Sequence, residues 1–302
     1  MNDTQPANGG PRGVFCPIVT PLDHREQVDE PALRQQVERL VGAVDGIMVL
    51  GTSGELAILQ DSVADTALAV VADQLGGRLP LVCGVGDTGT ARVVERIDRA
   101  KSSGASYVAV CAPYYYQHDS AALRRHFAAV AASCDLPVVL YNIPSHTGNP
   151  LDRETVLALA GEPNIVGIKD SSQDTEFFAW LLTSRDQTGW TVLQGSVEKQ
   201  ASKFWRSGID GYVSGLENIA PGTMRALSQA VAAGDSDAVA ALQSRLDALV
   251  DLCGRYFWLS VLKAAVAELG IGTGVVSAPL PTLDRDARAD VRQTLRRIGL
   301  LD

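Results

Sequence analysis

The chain has 302 residues, 46% of them hydrophobic and 20% charged, with a net charge of −9. Such a composition suits a large globular core and excludes a disordered or collagen-like chain; without a basic cluster, it also argues against nucleic acid as a partner. No apolar run reaches the ~18 residues of a membrane span and the start MNDTQPANGGPRG carries no signal-peptide hydrophobic region, so a cytoplasmic protein without membrane contact is expected.

In chain order, short apolar runs at 13–19, 46–50, 80–85, 107–111, 137–141, 165–169, 192–194 and 211–214 read as eight strands. Between them, the stretches 31–44, 62–75, 90–103, 120–133 and 175–184 have helical periodicity. Asp87-Thr88 and Asp119-Ser120 are expected helix starts. Strand and helix alternating eight times predict an α/β fold, a closed (β/α)8 TIM barrel over residues 1–234, and no GxGxxG follows the first strand to favour an open doubly wound sheet. After Pro221 the pattern is helical only, through 225–233, 237–252, 259–269 and 285–298. The first of these is read as the barrel's last helix, and residues 235–302 as a C-terminal helical extension packed on the barrel without a linker.

Cys16, Cys83, Cys111, Cys134 and Cys253 form no CxxC pair and read as buried thiols of a reducing compartment. His24, His118, His126 and His146 form no HxxxH or His/Cys cluster, so no metal is expected.

A TIM barrel places its reactive groups at the C-terminal ends of its strands. The sixth run, Ile165-Val166-Gly167-Ile168-Lys169-Asp170-Ser171-Ser172, is a buried strand that ends on a lysine. Alternation puts Lys169, Gly167 and Ile165 on one face, with Val166 and Ile168 on the other. An amine inside a packed layer is desolvated toward its neutral, nucleophilic form, which suits attack on a carbonyl; a lysine at a strand end can also snorkel into solvent. The second strand ends in Gly51-Thr52-Ser53-Gly54-Glu55, which reads equally as a carboxylate-binding turn or as capping for the next helix. The fourth ends in Tyr114-Tyr115-Tyr116, an aromatic cluster of a packing or interface kind. The fifth ends in Tyr141, one strand–helix unit before Lys169. On neighbouring strands about 4.8 Å apart the phenol and amine heads can meet, and the phenol could shuttle protons.

Taken together, GTSGE (51–55), APYYYQ (112–117), YNIPSHTG (141–148) and GIKDSS (167–172) resemble, in order and spacing, the motifs of the dihydrodipicolinate synthase and N-acetylneuraminate lyase family of class I aldolases. KAAVAELG (263–270) and LRRIGLL (295–301) extend the similarity over nearly the whole chain. The resemblance implies that Lys169 forms a Schiff base with pyruvate or another 2-keto acid, with an aldehyde as second substrate. It implies that Tyr141 is the proton shuttle, that Thr52 and Ser53 hold the carboxylate and relay protons, and that Tyr115 is lent across a dimer interface. It further implies a homotetramer built as a dimer of dimers, with no metal or organic cofactor. The catalytic set is then Lys169, Tyr141, Ser53 and Tyr115, and the substrate-binding set Thr52, Ser53, His146 and Val213.

One motif position departs from the synthase pattern, which usually has arginine where this chain has His146. A guanidinium is a fixed bidentate fork for a carboxylate, whereas an imidazole is mostly neutral near pH 7 and offers one donor. The tyrosine run also lacks the asparagine expected after its second tyrosine in that synthase. These features favour a lyase or aldolase acting on a 2-keto-3-deoxy sugar acid or related hydroxy-keto acid. The alternative within the class is 4-hydroxy-tetrahydrodipicolinate synthase, condensing pyruvate with aspartate semialdehyde. From other classes, a catalytically silent keto-acid binder would have no need of a buried amine, and the loops Gly195-Ser196-Val197-Glu198 and Gly215-Leu216-Glu217-Asn218 lack the glycine-rich phosphate cradle of a barrel isomerase.

Overall fold

Eight parallel strands close on themselves in sequential order in a computed structural model that describes residues 9–302. They are β1 (Gly13–Pro17), β2 (Gly46–Val49), β3 (Leu81–Gly84), β4 (Tyr107–Cys111), β5 (Val138–Asn142), β6 (Ile165–Asp170), β7 (Thr191–Gln194) and β8 (Gly211–Val213), and β8 pairs back onto β1. This is the (β/α)8 barrel expected from the alternation. Each strand is covered on both faces, which is why the runs read as continuously apolar. Phe15, Met48, Val82, Tyr107, Val139, Leu193 and Val213 fill the barrel interior, while Val14, Ile47, Val108, Leu140 and Ile168 pack outward against the helices.

Several boundaries differ from the sequence reading. β3 and β5 begin after Pro80 and Pro137, which have no N–H to give to a ladder, and β1 stops at Pro17. The helix Ser120–Ala132 starts as expected on Asp119, whose side chain accepts the Ala122 N–H. Asp87 is not a cap: the helix Thr90–Ser102 starts after Gly89, and Asp87 is buried in ion pairs of 2.8 Å with both Arg92 and Arg96. Short helices at Arg153–Leu159 and Ala201–Arg206 complete units for which periodicity gave too few residues to read.

One expectation about facing fails for a specific reason. Val138 pairs with Ile165 but Val139 pairs with Gly167, so β6 carries one extra residue, Val166, as a bulge. The bulge turns Val166 against the interior and leaves Ile165 in the outer layer, the reverse of simple alternation, while Lys169 keeps its inward direction.

After the last barrel helix, Thr223–Ala233, come helices Ser236–Arg255, Trp258–Glu268 and Arg285–Arg297. The first packs on the turn Glu198–Gln200 after β7 and the second on the turn Gly215–Asn218 after β8, so this layer stands at the C-terminal rim of the barrel. Among the described residues no helix is long and apolar enough to cross a membrane, all five cysteines are free, and no cluster of three or more His, Cys, Asp or Glu is placed to hold a metal ion.

Candidate active site

Lys169 reaches into the barrel mouth from the last turn of β6 and is 5% exposed. The chain has a second buried lysine, and the two differ in one decisive way. Lys263 is ion-paired with Glu55, whereas Lys169 makes no salt bridge among the described residues. Its Nζ lies 3.7 Å from Met48 Sδ and 3.9 Å from the centroid of the Tyr141 ring. A buried amine without a counter-ion is costly to keep for packing alone. Space around it is kept by Gly195, where a Cβ would stand 2.7 Å from Lys169 Cε and 2.3 Å from Ser171 Oγ.

Tyr141 is the direct cross-strand partner of Lys169 in the β5–β6 register. The amine meets the face of the ring, and the phenol oxygen stands 3.2 Å from Thr52 Oγ1. Thr52 opens a single 3-10 turn, Thr52–Gly54, directly after β2. Within the described residues the backbone N–H groups of Thr52 and Ser53 donate to no protein acceptor. Ser53 is buried beside them on the cavity wall. Adjacent free N–H groups and two hydroxyls form a concavity suited to an anion such as a carboxylate.

The register that joins Tyr141 to Lys169 is clamped one residue further on. Asn142 Nδ2 donates to Asp170 Oδ1 at 2.7 Å, Ser172 Oγ donates to Asp170 Oδ2 at 2.9 Å, and Asn142 Oδ1 accepts the Leu151 N–H at 3.1 Å. Burial pushes the Asp170 carboxyl up to about 6 from 3.8, against the lowering effect of those hydrogen bonds. A carboxyl raised in the folded state contributes stability that is complete below its unfolded pKa and is lost as pH rises through the folded value. Relative to Asp170→Asn, the wild type should therefore lose about 3 kcal/mol between roughly pH 4 and pH 7.5. Urea unfolding of both proteins across that range checks this; parallel pH profiles would refute it.

A cavity of about 510 Å³ opens above these groups, bounded by Thr52, Ser53, Tyr141, His146, Lys169 and Val213, so six of the seven sequence-derived candidates meet in one place. The seventh, Tyr115, is 84% exposed and stands outside this cavity, with a left-handed backbone at φ 82°. His146 sits on the short helix Pro144–Thr147 at the cavity mouth, its Nδ1 3.0 Å from Ser145 Oγ; desolvation by the surrounding protein lowers its pKa, so the ring is neutral near pH 7. Sequence reading passed over four residues that line the cavity. Ser171 Oγ is buried in the wall with no hydrogen-bond partner among the described residues. Glu198 faces the cavity, and burial raises its pKa while the Ser214 Oγ donation at 3.1 Å and the charge of Lys169 lower it. Trp258 and Leu262 close the cavity from the C-terminal layer. Only the lysine two residues earlier hinted at Ser171, since residues i and i+2 of a strand share a face.

Over nearly its full length the chain matches a known family: residues 10–298 match the model of the dihydrodipicolinate synthetase family. The chain belongs to the dihydrodipicolinate synthetase family. It is 35% identical over 300 residues to an uncharacterized DapA-like lyase of Halobacterium salinarum, covering 98% of both chains. It is 37% identical over 270 residues to a 4-hydroxy-tetrahydrodipicolinate synthase of Xylella fastidiosa, covering 89% of both. Among solved structures, the pyruvate complex of the chloride-inhibited dihydrodipicolinate synthase from Acinetobacter baumannii superposes with a TM-score of 0.89 at 28% identity, covering 96% of this chain and 99% of that one. A prophage protein of the dihydrodipicolinic acid synthase family from E. coli K12, also in complex with pyruvate, gives 0.89 at 29% identity with coverage of 96% and 99%. As a member of the dihydrodipicolinate synthetase family the protein is a pyruvate-dependent Schiff-base lyase or synthase of class I.

Proposed function

We propose that the protein is an aldolase for a 2-keto-3-deoxy sugar acid or related hydroxy-keto acid, working through a pyruvate enamine on Lys169. The observation that carries the covalent role is the buried Lys169 amine, which makes no salt bridge among the described residues and lies over the Tyr141 ring. Nζ attacks the C2 carbonyl, the carbinolamine loses water to give the imine, and loss of a C3 proton or cleavage of the C3–C4 bond gives the enamine. Tyr141, in contact with Thr52, moves the protons of these steps, and the Thr52–Ser53 turn holds the keto-acid carboxylate.

The acceptor side favours hydroxyl groups over a second carboxylate. No arginine lines the cavity among the described residues, His146 is neutral, and Ser171, Gln173, Ser196 and Glu198 offer hydroxyl, amide and carboxyl partners instead. A lost hydrogen bond to a charged group is worth about 1.5–3 kcal/mol, a discrimination of roughly 10–150-fold. Condensation of pyruvate with aspartate semialdehyde should thus be slow relative to glyceraldehyde-type acceptors, and His146→Arg should move the preference toward the semialdehyde. Catalytic efficiencies measured side by side decide it. A wild type that prefers the semialdehyde by roughly tenfold, about 1.4 kcal/mol, would establish the synthase reading shared with the Xylella relative.

In this reading the enzyme is cytoplasmic and residues 235–302 act as an extension of the barrel. Tyr115 acts from a neighbouring subunit, as its exposed place beside Tyr116 allows. Sedimentation should show a dimer or tetramer; a fully active monomer at nanomolar concentration would contradict the shared site.

A further inference from the structure

We infer that the buried Glu55–Lys263 pair positions the Thr52–Ser53 turn, so that the C-terminal helical layer sets the affinity for the keto-acid carboxylate. The inference rests on the functional reading above and adds two positioning residues that touch neither the reacting atoms nor Lys169.

Glu55 follows the turn immediately. Its N–H donates to Thr52 O at 3.2 Å, and its own backbone is left-handed at φ 63°, a conformation that a side chain other than glycine holds only when its surroundings enforce it. Beside local backbone hydrogen bonds, its side-chain partners come from far along the chain. Oε1 meets Lys263 Nζ, in the helix Trp258–Glu268, and Oε2 accepts the Ser277 N–H at 2.7 Å. Both ionic side chains are almost wholly buried, at 0% and 2% exposure, so neither is free to serve a substrate. Two buried charges offset their desolvation only through good mutual geometry, which makes the pair intolerant of displacement. On the other side of the turn, Thr20 Oγ1 donates to Gly54 O at 2.9 Å. The turn is therefore held at its C-terminal end by a pair that spans 208 residues of sequence, while Thr52 and Ser53 keep their N–H groups free.

The test uses the full-length protein and three variants, Lys263→Met, Glu55→Gln and the double Glu55→Gln/Lys263→Met. The double variant leaves neither member of the pair as an unpaired buried charge, so it keeps the experiment interpretable where a single substitution unfolds the chain. The readout is borohydride trapping of pyruvate on Lys169 by mass, as a function of pyruvate concentration, with melting temperature in parallel. Expected is a half-saturating pyruvate concentration raised about 10–100-fold, the usual effect of misplacing a binding group by an ångström, with trapping at saturating pyruvate within about twofold of wild type. Folded variants with unchanged half-saturation would overturn the inference, as would variants that lose only the saturating extent. A wild type not trapped on Lys169 would overturn the functional reading and this inference with it.

Discussion

Borohydride reduction in the presence of pyruvate is expected to add a single covalent adduct, on Lys169 and on no other lysine. The chain has five lysines, Lys101, Lys169, Lys199, Lys203 and Lys263. Lys101 and Lys199 are surface groups paired with Asp135 and Asp251, Lys203 is exposed to water, and Lys263 is committed to Glu55. The paired amines are committed to their carboxylates and Lys203 lies outside the cavity, so among the described residues only the buried Lys169, which makes no salt bridge, presents an uncommitted amine to the cavity. Lys169→Ala should abolish trapping and lower turnover by about four orders of magnitude or more, as loss of a covalent nucleophile does elsewhere. Peptide mapping of the reduced adduct reads the result. An adduct on another lysine, or turnover that survives in the alanine variant, would remove Lys169 from the mechanism.

The second large effect concerns a single oxygen atom. Tyr141→Phe keeps the ring over which Lys169 Nζ lies at 3.9 Å and removes only the hydroxyl, 3.2 Å from Thr52 Oγ1. Stability should change by no more than the net worth of one hydrogen bond, about 0.5–1.5 kcal/mol. Turnover should fall by roughly 10²–10⁴-fold, the contribution of a positioned acid–base group. Pyruvate trapping on Lys169 should persist at a reduced rate, because the amine is untouched. Unchanged turnover with normal folding would make the phenol a packing group.

The barrel and the convergence of the candidate site residues were legible because both rest on short-range periodicity. Strand and helix periods repeated along the chain define the fold class, and one strand–helix unit between Tyr141 and Lys169 is enough to make them cross-strand neighbours. Residues at the C-terminal ends of barrel strands converge whatever the helices between them do, so Thr52, Ser53, His146 and Val213 meet in the same cavity. The bulge at Val166 was not legible. A one-residue slip leaves no mark in a run of apolar residues that are buried on either face.

By itself, then, the sequence determined the barrel, the inward lysine and the tyrosine beside it, since each depends on spacing within one or two neighbouring units. Only the tertiary structure decided which of two buried lysines is free. Lys263 owes its ion pair to Glu55, 208 residues away, and no local pattern encodes a contact at that separation. The same holds for Ser171, Glu198 and Trp258, whose places on the cavity wall follow from the loops and the C-terminal layer that fold over the rim. Tyr115 belongs with them: local sequence marks it as an aromatic at a strand end, but the chain's own packing leaves it outside the cavity, because where a side chain finally lies is set by the surfaces that meet it.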